Sequence, residues 1–272
     1  MKLLTLNTHS LVEEDSERKR ELFVRAVAEE RPDLMALQEV NQSRSAERVK
    51  VPAGGGVAAK RIPLRRDNYA YRVAEQLREQ GLLYDWIWLP MKVGYDRYDE
   101  GLAVFSRFPI EKWESARISR SDSYENFRTR YALGIYTADQ WVYSVHTGRW
   151  EEDGESFLSQ WRRLSEHLKN KDKVWLMGDF NSPAEESGTG YEQMKQAGWY
   201  DSYMLAEKRD KGVTVPDAID GWRDGTGTAM RIDYIWSNFR ADVLRSEVVF
   251  NGKRLARVSD HYGVMIEVRE SG

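Results

Sequence analysis

The chain has 272 residues, 41% hydrophobic and 31% charged, enough apolar material for a substantial core and too much for a disordered chain. Forty-one basic against 44 acidic residues give a net charge of −3, which removes any whole-molecule attraction to nucleic acid or anionic membrane. With no cysteine, disulfides, zinc–thiolate centres and cysteine nucleophiles are excluded.

The first stretch, KLLTLN (Lys2 to Asn7), reads as a buried strand. Its apolar run is too short for a secretory signal core, so a cytoplasmic protein without membrane partners is expected. Residues 16 to 31 are charged and carry Leu22, Phe23, Ala26 and Val27 at helical spacing, which predicts an amphipathic helix ended by Pro32. A second strand, DLMALQEV (Asp33 to Val40), follows, and residues 41 to 68, with VPAGGG and KRIPLRR, read as a long loop. A helix over 69–80 leads into the strand LYDWIWLP, which Pro90 should stop, and then into GLAVFSRFPI (Gly101 to Ile110).

RYALGIYT and QWVYSVHT, joined at Ala138-Asp139, predict a hairpin. Residues 155–170 form an amphipathic helix, KVWLMGDF a strand and residues 190–197 a helix; RIDYIW, VLRSEVVF and YGVMIEVR are all strand-like. No repeat or linker divides the chain, so one domain over 1–272 is expected. Helices separated by pairs of strands suggest an α+β sandwich.

Polar residues recur where the apolar runs end. Asn7, Glu39, His146, the pair Asp179 and Asn181, Asp233, and Asp260-His261 each end or flank a strand. Any one of them is an ordinary turn or edge residue, but strand ends are also where a rigid sheet carries catalytic groups. Oxygen donors without cysteine suit a hard cation such as Mg²⁺ or Mn²⁺. Histidines beside acids suit proton transfer and the neutralisation of a charged oxygen. Together these types fit phosphoester hydrolysis.

QEV, EGLAVFSRFPI, SVHTG, GDFN, RIDYIW and SDHYG resemble, in this order and from residue 2 to 268, the endonuclease/exonuclease/phosphatase superfamily. That superfamily includes DNase I, abasic-site endonucleases, bacterial sphingomyelinases and inositol-phosphate phosphatases. The resemblance implies a four-layer α/β/β/α sandwich, two mainly antiparallel sheets packed face to face with helices outside. It also implies Glu39 as principal metal ligand with Asn7 and Asp260 beside it, and Asp179 as the residue that orients or deprotonates the attacking water. Asn181 would contact phosphate. His261, oriented by Asp233, would lie on the scissile phosphate, with His146 as the second histidine, oriented by Glu100. Arg130 matches an arginine that contacts phosphate in some members.

The substrate is not fixed by the superfamily. MKLLTLNTHS, HTGRW, SQW, GDFNSPA and GWRD resemble a bacterial subgroup acting on maltose 6′-phosphate, with Arg149 standing where an aromatic is expected. A phosphorylated sugar is the expected substrate, with His9, Arg149 and the loop-like tryptophans Trp150, Trp199 and Trp222 as candidate contacts. His9 is equally readable as a turn residue, and His167 as a solvated helix residue. A nuclease is the alternative: Lys60, Arg61, Arg65 and Arg66 would then be its basic face, and otherwise a solvated loop. A non-catalytic binding module is disfavoured by the completeness of the polar set.

Overall fold

The computed structural model describes residues 1–58, 62–148, 155–186, 188–216 and 229–269. Lys60, Arg61, Arg149, Trp150 and Trp222 lie outside them.

Two mixed sheets form the centre. The chain enters through β1 (Lys2–Asn7), α1 (Ser16–Glu30), β2 (Leu34–Ser43), β3 (Gly55–Val57), α2 (Tyr69–Glu79), β4 (Asp85–Gly94) and β5 (Tyr98–Ser106). It crosses to the second sheet with β6 (Lys112–Arg117), β7 (Tyr131–Thr137), β8 (Gln140–His146), α3 (Phe157–Leu168), β9 (Val174–Asp179), α4 (Gly190–Gln196) and β10 (Tyr200–Asp201). After α5 (Ser202–Leu205) come β11 (Lys208–Arg209), β12 (Asp233–Ser237), β13 (Val243–Val249) and β14 (Gly263–Val268). The first sheet runs β11-β13-β14-β1-β2-β5-β4-β3 and the second β10-β12-β9-β8-β7-β6. Most neighbours are antiparallel; β1–β2, β3–β4, β8–β9 and β11–β13 are parallel.

Side-chain alternation builds the layers. Leu3, Ala36, Leu102 and Val104 of the first sheet meet Leu133, Ile135, Val142, Trp175 and Ile235 of the second in one buried cluster. The opposite residues of the first sheet, Leu4, Leu6, Met35 and Phe105, face Phe23 and Val27 of α1 and Val73 and Leu77 of α2. On the far side, Tyr143, Val145, Leu176 and Trp236 pack against Trp161 and Leu164 of α3 and Met194 of α4. This is the expected α/β/β/α sandwich. Caps fix two helix entries: Asn68 accepts from the Tyr71 amide at 3.0 Å, and Ser156 accepts from that of Ser159 at 3.4 Å. Each such cap is worth about 1 kcal/mol.

The structure departs from the sequence reading where strands are polar. β2 runs on to Ser43 through buried Asn41 and Gln42, and β4 continues past Pro90 to Gly94. A register shift between Pro90 and Lys92 absorbs the proline, as a bulge does. β6, KWESAR, is an exposed, charged edge strand that no apolar pattern reveals.

Candidate active site

The expected residues meet at one end of the sandwich, between the sheets. Strand register places most of them. His146 lies opposite Asp179 in the β8–β9 pair, and Asp179 opposite Asp233 in the β9–β12 pair. Close strand approach here depends on Gly178, whose φ is 152° and where a Cβ would stand 1.9 Å from the Val145 carbonyl oxygen. From the first sheet, Asn7 ends β1, and Glu39 sits in a bulge of β2 with φ 50°. The left-handed backbone is costly for a glutamate and aims its side chain out of the ladder. Asn181, at φ 46°, makes the same kind of turn after β9.

Asn7 ties the halves together. Its Nδ2 donates to Glu39 Oε1 at 3.0 Å and to Asp179 Oδ2 at 3.1 Å. Asp179 Oδ1 accepts from the Asn181 amide at 2.9 Å, while Oδ2 also faces His146 Nε2 at 3.6 Å and His261 Nε2 at 3.9 Å. The other ring nitrogen of His261, Nδ1, stands 3.0 Å from Asp233 Oδ2, the expected orienting pair. Asn181 Nδ2 donates to the Thr147 carbonyl at 3.0 Å, which fixes its amide beside the mouth.

Burial sets the charges. Desolvation pushes Asp179 up to about 7, helped by neighbouring Asp233. His261 and His146 share the pocket yet shift oppositely. Burial alone would lower His261, but Asp233, then Asp179 and Asp260, outweigh it and hold it well above the usual histidine range. His146 has no such acid bonded to it; burial, with the positive charge of Arg130 and Lys92, holds it well below. The first is imidazolium and the second neutral at pH 7.

Glu39 tests the expected cation. Its Oε2 is enclosed without a hydrogen-bond partner among the described residues, and burial together with Glu100 raises its pKa. A buried carboxylate oxygen with nothing to answer it fits a hard cation. Asp260 lies further out, with His9 and Glu13; their ligand atoms fall within 4.8 Å of one another. A second group within that span is Asp179, Asp233 and His261.

Several expectations change. Glu100 pairs with Lys92 at 3.1 Å, and His146 Nδ1 has no hydrogen-bond partner among the described residues, so Glu100 does not orient that histidine here. Lys92 lies beyond Pro90, on the part of β4 that the sequence pattern does not mark as strand. His9 is part of a rim network rather than a bare turn, with Nδ1 2.8 Å from Glu13 Oε1 and Nε2 3.1 Å from the Tyr95 hydroxyl. Trp199 packs edge-on against Trp161, a core role, and His167 bonds Glu114 at 2.5 Å. Arg130 Nη1 holds the Phe127 carbonyl at 2.6 Å, which anchors it beside His146. Of the basic loop, Arg65 donates to the Ala46 carbonyl and Arg66 pairs with Glu47, so neither forms a basic track.

Among curated proteins, none matches the chain by sequence. Solved structures do. An endonuclease/exonuclease/phosphatase family protein from Leptotrichia buccalis is 30% identical with a TM-score of 0.86, the match covering 99% of this chain and 100% of that one. A mannosyl-6-phosphatase of Bacteroides thetaiotaomicron superposes with a TM-score of 0.67 at 19% identity, over 99% and 100% of the two chains. A Neisseria 3′ phosphatase, bound to product DNA hairpin, does so at 0.66 and 17%, over 99% and 100%. The sequence profile of the Endonuclease/Exonuclease/phosphatase family matches residues 4–261. The chain thus belongs to that family of metal-dependent phosphoric ester hydrolases.

Proposed function

We propose that the chain is a single cytoplasmic catalytic domain that removes the phosphate from a phosphorylated sugar, maltose 6′-phosphate or a close relative, by direct attack of water. The observation that carries this reading is enclosure. Asn7, His146, Asp179, Asp233 and His261 are each at most 5% exposed, so a protruding terminal phosphate reaches them more readily than a phosphate inside a polymer. Arg65 and Arg66, engaged by the Ala46 carbonyl and by Glu47, and the net charge of −3 point the same way. The likeness to the mannosyl-6-phosphatase shows fold, and that protein is a precedent for sugar phosphate chemistry on it.

In this reading Asp179, with its pKa near ambient pH, takes or orients the proton of the attacking water. His261, kept charged by Asp233, donates from Nε2 to a phosphoryl oxygen as negative charge builds there. Neutral His146 stands on the other side of Asp179 Oδ2 as a second donor from Nε2. Glu39 would hold Mg²⁺ or Mn²⁺, with Asn7 and Asp260 beside it. When bound, such a cation supplies Lewis-acid stabilisation to the phosphoryl group.

The test is a phosphate-release screen with Mg²⁺ over sugar phosphates, nucleotides and inositol phosphates, beside a plasmid-nicking assay. Release from a disaccharide phosphate is expected. Nicking at trace enzyme, with no release from sugar phosphates, overturns the reading in favour of a nuclease. The DNA-bound 3′ phosphatase makes a terminal nucleotide phosphate the second substrate to try.

A further inference from the structure

The catalytic groups are sunk between the sheets, so a phosphoryl group that reaches them leaves the rest of its substrate at the rim. Two segments of that rim are fastened together: the β4–β5 turn and the loop between β6 and β7, residues 118–130. The Val93 amide donates to the Tyr124 carbonyl at 2.7 Å. The Tyr124 hydroxyl donates to Asp99 Oδ1 at 3.0 Å, and Gln42 Nε2 donates to the other oxygen of that carboxylate at 2.9 Å. Further along the loop, Glu155 accepts the amides of Arg120 and Ser121 at 2.9 and 3.1 Å. The buried Thr129 hydroxyl donates to the Ser123 carbonyl at 2.7 Å. A loop bonded in this way to itself and to its neighbours presents a fixed shape.

On this fixed rim two large aromatic side chains stand in water, Phe127 at 61% exposure and Tyr95 at 44%. Single exposed apolar residues are ordinary on a protein surface. These two differ in being held beside the mouth. The pairing of Ala132 with Val145 puts the chain just before β7 at the His146 end of the sheet, and there Arg130 Nη1 holds the Phe127 carbonyl. Tyr95 lies at the tip of the β4–β5 turn, its hydroxyl 3.1 Å from His9 Nε2, and His9 Nδ1 is 3.7 Å from Asp260 Oδ1. Polar groups border both rings: the Arg128 guanidinium lies 5.3 Å from the Phe127 ring centre, and His9 sits against Tyr95. Flat apolar surface edged by hydrogen-bonding groups matches a pyranose, which offers a C–H face and a rim of hydroxyls.

We propose that Phe127 and Tyr95 form a platform for the leaving group, on which the C–H face of a sugar ring rests while its phosphate is held among the buried groups. The two residues thereby select a substrate by what lies beyond its phosphoester bond. The proposal deepens the sugar phosphate reading above and rests on it. Neither side chain handles the reacting phosphorus, so their contribution is to binding and belongs in KM, with kcat nearly kept. Because the loop is already ordered, little of that contribution is lost in fixing the rings.

The experiment compares wild type with Phe127→Ala and Tyr95→Ala, and with the ring-keeping variants Phe127→Tyr and Tyr95→Phe, in the presence of Mg²⁺. The readouts are kcat and KM for maltose 6′-phosphate and for glycerol 1-phosphate, which has no ring to rest on the platform. Covering one face of an aromatic ring is worth roughly tenfold. The ratio of kcat/KM between the two substrates should fall about tenfold in Phe127→Ala and several-fold in Tyr95→Ala, through KM. The ring-keeping variants should stay within about twofold of wild type. Equal changes on both substrates overturn the platform and leave the phosphatase reading standing. A loss confined to nucleoside 3′-phosphates overturns the assignment to sugar. If wild type releases phosphate from no sugar phosphate, the phosphatase reading fails, and saturation-transfer NMR with maltose decides the platform by itself. Transfer to maltose ring protons that Phe127→Ala abolishes supports it; the same result in wild type and variant overturns it.

Discussion

At the mouth of the sandwich Asp179 has both carboxylate oxygens in hydrogen bonds and Asp233 is held against His261, whereas Glu39, bonded through the same Asn7 amide, ends in an oxygen that no donor reaches. The second sheet presents acids already answered by protein donors; the first presents Glu39, which is not. The two halves therefore carry different work. The Asp179 side is built to move a proton and hold a charged imidazole. The Glu39 side is built to wait for a cation. A centre that neutralised every carboxylate with its own side chains would leave nothing to bind metal, and one that neutralised none would not fold cheaply.

The largest effect should come from breaking the self-contained half. Asp179→Asn keeps the shape and removes the proton acceptor, so kcat should fall about 10³-fold with the circular dichroism spectrum unchanged. Activity within tenfold of wild type would show that Asp179 is not the group that handles the water. On the other half, Glu39→Gln should cost on the order of 10²-fold and abolish the gain in Tm that Mn²⁺ or Mg²⁺ gives the wild type.

The same variant carries a pH signature. The folded pKa of Glu39 is raised above 4.5, so its contribution to stability is complete below the unfolded value and is lost as pH rises through the folded one. Metal-free wild type should thus lose more Tm between pH 4.5 and 8 than Glu39→Gln does. Parallel Tm curves would show that the carboxylate is already compensated. Asn7→Ala, which uncouples the halves, should lower kcat/KM by roughly tenfold to a hundredfold through the loss of hydrogen bonds to two carboxylates, with KM for metal rising.

The smallest effect belongs to the rim. His9 is raised to about 9, its bond to Glu13 and the charges of Glu39 and Asp260 outweighing the cost of burial; Glu13 is lowered to about 2, with His9 and Lys19 outweighing the same cost. A raised histidine stabilises fully below 6.5 and loses that as pH passes 9. A lowered glutamate stabilises fully above 4.5 and loses that as pH falls toward 2. The pair therefore works best between pH 4.5 and 6.5, and His9→Ala should cost less than about 1 kcal/mol there, and less still outside that window. Chemical denaturation at pH 5.5 and 9.5 measures it.

Sequence reading reached the scaffold because most strands are apolar runs with polar ends: Lys2 to Asn7 was legible to the residue. It also reached the strand-end residues, since alternation puts Asp179 and Asn7 at the ends of such runs. What it could not reach are features without a local signal. The bulge that turns Glu39 depends on β2 pairing with β5, about sixty residues away. Lys92 was hidden behind Pro90, because only a strand already held on its other side tolerates a proline and continues. Which acid would pair with which histidine depended on distances across the inter-sheet gap, and there Glu100 took Lys92 instead.

Asn7 and His261 stand 254 positions apart, and they meet because β14 zips antiparallel onto β1, with Ser259 Oγ bonded to the Asn7 carbonyl at 2.7 Å. A chain still being made therefore has a nearly finished fold and no competent centre until its last strand arrives. Contacts of such sequence separation form late and slowly. In refolding, hydrolysis should return in step with amide protection of Val264 to Ile266 and not before, so catalysis itself serves as the clock for the final docking event.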